Sequence, residues 1–418
     1  MATAVRALYR TLLRSARRIE GATSSKLTPH DAKTVANGIA ATLLTRERVA
    51  VPKEAVGRPP TDAVRACFRL GCAADADEDA DALDRGFVML RSASHLLSAL
   101  ESPWGALVLQ AEQPGGCTPQ ASEAAGASDA SHASSAFALE RGAVVIARLC
   151  SLSTSEPSSA DGEDAELERE HERAAEQLAQ LARQAADVMP RSHAEDEDCE
   201  LDPQQEQARA AVPAEHAQHT QLRHLVRAFF SPAPHGLGFR GEADDYYNPM
   251  QSSLPSVLDR RAGLPITMAV AFAAVAARQT PPLQLQGVNT PAHFILRLDT
   301  AEDELEEATG DGARLPVSAK PIFCDAFHGV LLSVADVARR VKFALGGQLT
   351  QDDLERALEP LPAPLVWLRM LRNLAVTFAD DDADWHDEQK VATCEEAISH
   401  IDVLTAIARV PAREQTDE

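Results

Sequence analysis

Apolar positions recur at helical spacing along most of this chain, and strand-like alternation is confined to one stretch of its second half. Val5, Leu8, Leu12 and Ala16 mark a helix from Val5 to Ile19, and Thr61–Arg69 and Ala82–Leu100 carry two further helical stretches, with the acidic run Asp75–Asp81 between them. Three such helices make a minimal bundle. Ala111–Ser135 is rich in Gly, Ser, Ala and Pro and reads as a flexible linker. Phe137–Cys150 is then an apolar helix, Ser151–Gly162 is Ser/Pro-rich, and Glu166–Val188 is a charged helix whose packing face is marked by Leu178, Leu181 and Ala185 and which Pro190 stops. Arg191–His219 is acidic and Gln-rich without a period, so disorder or a frayed surface insert is expected there.

Order resumes at Leu222–Phe230. Ile266–Ala277 is apolar on nearly every side, the pattern of a helix enclosed in a core, and Pro265 stands at its first helical position. Leu283–Val288, His293–Asp299 and Pro321–Ala326 read as short strands, with turn residues at Asn289–Pro291 and Gly310–Gly312. A buried helix followed by antiparallel strands predicts an α+β layer. Helical spacing returns in Val334–Phe343, Leu365–Thr377 and Glu388–Ala408.

Composition narrows the function classes. With 418 residues, 45% hydrophobic, the chain is long enough for two or three domains, but only 4% of residues are aromatic, so ordered cores share the chain with looser segments. A net charge of -23 argues against nucleic acid as the partner, because phosphate binding draws on clustered Lys and Arg. The 7 cysteines are scattered with no Cys-x-x-Cys pair, which fits a reducing compartment and neither a disulfide framework nor a zinc site. The nearest approach to a membrane span, Leu264–Ala277, is too short to cross a bilayer.

Chemistry concentrates on the strand region. His293, Ile295 and Arg297 share one strand face and Phe294, Leu296 and Leu298 the other. A histidine at a strand start beside a buried helix is a candidate base, and Asp325 on a later strand could hold its imidazole in one tautomer. The two also read as a structural hydrogen-bonded pair. Cys324 should face away from Asp325 as a small buried hydrophobe.

The blocks Tyr246-Tyr247-Asn248-Pro249, Val257-Leu258-Asp259-Arg260-Arg261-Ala262-Gly263-Leu264-Pro265-Ile266-Thr267, Gly287 through Arg297 and Asp325-Ala326-Phe327-His328-Gly329 follow in an order that resembles the transglutaminase-like core of SirB-type and F-box only proteins. The likeness continues into Leu368–Leu374, a helical tail. It implies a papain-like layout in which His293 and Asp325 take the histidine and carboxylate places and Thr267 stands near the cysteine's place. A hydroxyl is a much poorer nucleophile than a thiolate, so the resemblance implies a degenerate, non-catalytic site. Gln251-Ser252 departs from the family's Asn-Ser.

At the N-terminus, Leu8-Tyr9-Arg10 followed by Leu12-Leu13-Arg14, with Phe68 downstream and Leu83-Asp84-Arg85-Gly86 opening a third helix, resembles the LYR-motif adaptors of mitochondria. That resemblance implies a three-helix bundle that binds an acidic acyl carrier protein through Leu8, Tyr9, Arg10, Arg14 and Phe68. The insert Gly21–Pro60 is longer than that family's spacing. An Arg-rich presequence, cleaved on import, reads equally from residues 1–20.

The expected organisation is therefore an LYR-like bundle (1–105), a linker (106–136), a helical region with an acidic insert (137–220), a transglutaminase-like core (221–345) and a helical C-terminal extension (346–418). The expected function is a mitochondrial matrix adaptor or assembly protein, with cytoplasm or plastid as alternative locations. The alternative activity is a hydrolase or acyl transferase using His293 and Asp325 with Thr267 or a bound water. No cofactor and no metal site is read from the residues, and the second domain's protein partner is open.

Overall fold

The arginine-rich pattern at the N-terminus folds as α1 (Ala2–Lys26), on which Leu12, Ala16 and Ile19 are buried while Arg10, Arg14 and Arg17 are exposed. The computed structural model describes residues 2–26, 61–62, 64, 91, 93–111, 127–150, 160–189, 214–291, 293–299, 307–308, 314–315, 321–347, 350–381 and 383–408. They divide into two units, Met1–Ser122 with Ala392–Glu418, and Glu123–Val391.

In the first unit, Glu20 Oε1 accepts hydrogen bonds from the Thr61 backbone N–H (2.9 Å) and hydroxyl (2.6 Å), tying α1 to the second helical stretch. Helical residues 93–101 and α2 (Pro103–Ala111) bury Leu96, Leu100, Trp104 and Val108. Phe68 and residues 83–86 lie outside the described residues, as do the side chains of Leu8 and Tyr9. The grouping differs from the sequence-based boundaries: the first unit runs past residue 105, and residues 392–418 join it, whereas the sequence reading kept 346–418 together. Ile401 and Leu404 are buried, and Ser399 hydrogen-bonds His95 at 3.0 Å.

The second unit opens with α3 (Ala127–Cys150), which begins inside the stretch read as linker. That stretch contains no Gly or Pro after Gly126, and its alanines favour helix. The charged helix α4 (Ala160–Val188) starts earlier than Glu166, and α5 (Ala214–Phe230) begins within the segment read as disordered; residues 190–213 lie outside the described residues. A parallel two-residue pair, β1 (Arg240–Gly241) with β2 (Ala262–Gly263), flanks α6 (Leu254–Arg260) and leads into α7 (Pro265–Ala276).

The main sheet contains β3 (Leu285–Thr290), β4 (His293–Leu298), β7 (Ile322–Asp325), β8 (Val330–Leu332) and β9 (Pro360–Leu361), in the order β8-β7-β4-β3-β9, all antiparallel. A separate hairpin joins β5 (Glu307–Ala308) to β6 (Arg314–Leu315). The β3–β4 ladder runs out to Thr290 opposite His293, so Asn289 and Thr290, read as turn, belong to the strand. The Thr290 hydroxyl donates to the His293 carbonyl at 3.0 Å and closes the end.

Strands β8 and β9 are too short to leave a periodic signal, and Pro360 is tolerated because β9 is an edge strand. Helices α8 (Val334–Ala344) and α9 (Gln351–Leu358) each start on a capping box, Ser333/Asp336 and Thr350/Asp353. Their Val337, Val341 and Ala357 cover the sheet face that carries Val288, Ile295 and Phe323, while α7 packs against β3 and β4. Both faces of β4 are thus enclosed, and Ile295 is as buried as Phe294.

Helix α10 (Ala363–Phe378) packs on α3, and the contact centres on Trp367, fully buried, whose Nε1 donates to the Leu139 carbonyl at 3.4 Å. A Cβ on Gly142 would stand 2.2 Å from the indole. Gly142→Ala is therefore expected to lower stability by about 1–3 kcal/mol through overpacking. Gly21→Ala, with nothing within 4 Å of the added carbon, should not destabilise. Urea unfolding of the two variants checks the contrast; equal midpoints would show that the α3–α10 contact is loose.

Candidate functional site

The turn into α7 is built by hydrogen bonds of its own side chains. Asn248 accepts from the Met250 N–H at 2.9 Å and caps a short 3-10 turn, Pro249–Gln251. Gln251 is buried and accepts from Arg260 Nη2 at 3.0 Å. Arg261 caps α6 with φ 56°, a left-handed conformation that costs a β-carbon-bearing residue roughly 1–2 kcal/mol. Its Nη1 donates to the Leu237 carbonyl at 2.5 Å, which holds it there.

Thr267 lies in the first turn of α7 and is fully buried. Its hydroxyl has no hydrogen-bond partner, so it is bonded to neither His293 nor Asp325. The structure joins the other two sequence-predicted residues. His293 begins β4, and its Nε2 lies 2.9 Å from Oδ1 of Asp325, the last residue of β7. Asp325 has no exposed surface, whereas the His293 side chain keeps 20% of its own.

Asp325 gathers donors from three elements. Oδ1 also accepts the backbone N–H groups of Phe327 (3.1 Å) and His328 (3.2 Å). Oδ2 lies 2.8 Å from His328 Nδ1 and accepts from Arg340 Nη1 of α8 at 2.5 Å. Burial alone would push the carboxyl up, but the hydrogen bonds of His293 and Arg340 outweigh it and hold Asp325 well below the usual carboxylate range. Neighbouring Cys324 is buried, and burial followed by the Asp325 charge pushes its thiol far up, so it stays a thiol.

Arg369 of α10 fixes the other side of His293. Its Nη1 donates to the His293 carbonyl at 3.1 Å and to the Asn289 side chain, and its guanidinium lies 5.5 Å over the Phe294 ring. Sequence reasoning did not find His328, Arg340 or Arg369. The Asp-x-x-His spacing of Asp325 and His328 was a local signal for the first, while the two arginines reach the site only through packing of α8 and α10.

This geometry can be set beside known proteins. Residues 172–372 match the model of the Transglutaminase-like superfamily. The C-terminal region carries a transglutaminase-like domain. A UPF0162 protein of Xylella fastidiosa is 35% identical over 146 residues, 34% of this chain and 45% of that protein. A UPF0162 protein of Pseudomonas aeruginosa is 40% identical over 73 residues, 18% of this chain and 26% of that one. Mouse F-box only protein 21 is 30% identical over 119 residues, 28% of this chain and 15% of that one. The chain thus spans under half the length of these relatives. No solved structure matches it. The transglutaminase-like domain has here a histidine–carboxylate pair and a threonine on the adjoining helix.

Because the folded state lowers the Asp325 pKa, its stabilising contribution is complete above about pH 4, the unfolded carboxylate value, and is lost as pH falls below it. Asp325→Asn should cost about 1–3 kcal/mol at pH 7, since several donors aimed at the carboxylate lose their charged acceptor, while Arg340 and His328 can turn toward water. It should also show a shallower loss of stability between about pH 4 and pH 2 than wild type. Urea midpoints against pH check this, and parallel profiles would show that Asp325 is not a folded-state anion.

Proposed function

We propose that this protein is a mitochondrial matrix adaptor, in which an LYR-like N-terminal unit binds an acidic acyl carrier protein and the transglutaminase-like domain binds a protein partner without catalysing acyl transfer. The observation that carries the second half is the burial of Thr267 with its hydroxyl unbonded. A papain-like site needs a nucleophile within reach of its base, and here the ring nitrogen of His293 is hydrogen-bonded to Asp325 while the Thr267 hydroxyl is bonded to neither. For the first half, Arg10, Arg14 and Arg17 stand exposed on α1 opposite its buried side, a cationic row suited to an acidic surface. Arg18 is committed to Glu101 at 2.8 Å. The mitochondrial location is part of this reading and rests on the LYR resemblance.

A second reading, a hydrolase that activates water with His293 and Asp325, is favoured by the solvent reach of His293. It requires ester or amide hydrolysis that disappears in His293→Ala.

Two experiments test the adaptor reading. Thr267→Cys should stay as unreactive to iodoacetamide in the folded protein as the buried Cys324, and adding His293→Ala should change nothing. Fast, His293-dependent alkylation would reveal a latent catalytic site and overturn the non-catalytic assignment. Arg10→Glu with Arg14→Glu should abolish binding to a purified acidic acyl carrier protein while leaving the thermal melt within a degree or two, because exposed charges steer association more than they stabilise. Unchanged affinity in that titration refutes the adaptor.

A further inference from the structure

Three ligand-type atoms converge where β7 ends: one ring nitrogen each of His293 and His328 and one carboxylate oxygen of Asp325 all lie within 4.8 Å of one another. We propose that these residues bind one divalent transition-metal ion of the zinc type. The inference rests on the reading that the His293–Asp325 pair serves no catalytic nucleophile.

The ligand chemistry selects the ion. Two imidazole nitrogens and one carboxylate suit zinc and its first-row neighbours, whereas calcium and magnesium take oxygen ligands. The spacing is close to what such an ion imposes. Bonds of about 2.0–2.2 Å in tetrahedral array set neighbouring ligand atoms about 3.3 Å apart. His293 Nε2 now lies 2.9 Å from Oδ1 and His328 Nδ1 2.8 Å from Oδ2, two different oxygens of Asp325, so the ion is admitted once the exposed His328 side chain turns to bring its nitrogen toward the oxygen that His293 faces. On binding, each of these nitrogens loses the proton it directs at the carboxylate: a neutral ring carries its proton on the other ring nitrogen instead, and a protonated ring releases one proton to solvent.

The surrounding groups are already in place. Asp325 Oδ1 is oriented by the N–H groups of Phe327 and His328, and the His293 ring meets Phe327 edge-on at 6.1 Å while Arg369 holds its backbone carbonyl. Such outer contacts pre-set ligand geometry. The His328 side chain is 56% exposed, which gives the ion a route in and leaves a coordination position open to an external ligand. Arg340 is the competitor, since it holds Oδ2 in an ion pair, but its side chain is 42% exposed and can turn into water. The ion then places two positive charges where Arg340 placed one.

The test is calorimetric titration of the full-length, chelator-stripped protein with Zn2+, with the visible absorption of bound Co2+ as a second readout. His328→Ala is the main variant, because its side chain is largely exposed and the fold should survive, as a thermal melt will show. With 13 histidines in the chain, the difference between wild type and this variant is the measurement, not total uptake. Wild type should take up one ion that His328→Ala binds at least about a hundredfold more weakly, because removing a ligand costs more than the roughly ten- to hundredfold that follows loss of an outer supporting group. Arg340→Met should bind it more tightly, and His386→Ala, remote in sequence and paired with Asp381, should match wild type. The proposal is overturned if wild type and His328→Ala titrate alike, if Arg340→Met binds more weakly, or if equimolar Mg2+ displaces Zn2+. Alkylation of Thr267→Cys reports separately on the nucleophile, so failure of this inference and failure of the non-catalytic reading are distinguishable.

Discussion

Helix α7 has no side that water could cover. Every residue from Pro265 to Ala276 is buried, so the helix must be enclosed on its whole circumference before the fold gains from it. α3, α4 and α6 pack against it from one direction and β3 and β4 from another. Its alanines let these neighbours approach closely, while Phe272 fills the remaining volume in edge contact with Phe229 at 5.1 Å. The first turn of such a helix is drawn inside with the rest. Thr267 is buried for that reason, whatever its chemistry.

Enclosing α7 also brings charge into the interior, and two acidic groups show how differently this can be resolved. Glu140 on α3 pairs with Arg278, just beyond the α7 C-terminus, at 2.7 Å, and Arg278 lies 4.7 Å over Phe137. Burial raises the Glu140 pKa against the pull of that arginine, because one cation does not replace the lost hydration. Asp325 is more buried still, yet its pKa falls, because five donors from β4, the turn after β7 and α8 point at its two oxygens. An unpaired carboxylate there would cost several kcal/mol, so these elements are aligned by the charge they surround.

The same network bears on the proposed role of the domain. His293 and Asp325 are hydrogen-bonded at 2.9 Å, and Thr267 on the adjoining helix is buried with its hydroxyl unbonded. The proposed metal ligation would use the first two without the third. The exposed arginine row on α1 is a surface of charge and not of enclosure.

How much of this was legible in the residues depends on the range of the interaction. The α+β character, the all-round burial of Ile266–Ala277 and the bounds of Glu388–Ala408 follow from local periodicity, which a one-dimensional pattern carries in full. The pairing of His293 with Asp325 could be anticipated because each sits at a strand end that alternation defines, and order-preserving family blocks reinforced it. The helical start at Ala127 was missed because Ala/Ser composition serves linker and helix alike. The grouping of residues 392–418 with the first unit, the short strands β8 and β9, and the arrival of Arg340 and Arg369 beside the dyad were decided only by tertiary structure. Each depends on which apolar face covers which, and that is fixed by shape and volume between segments far apart in the chain. So was the isolation of the Thr267 hydroxyl: the sequence placed it beside a histidine strand, and packing around α7 left it buried and without a partner.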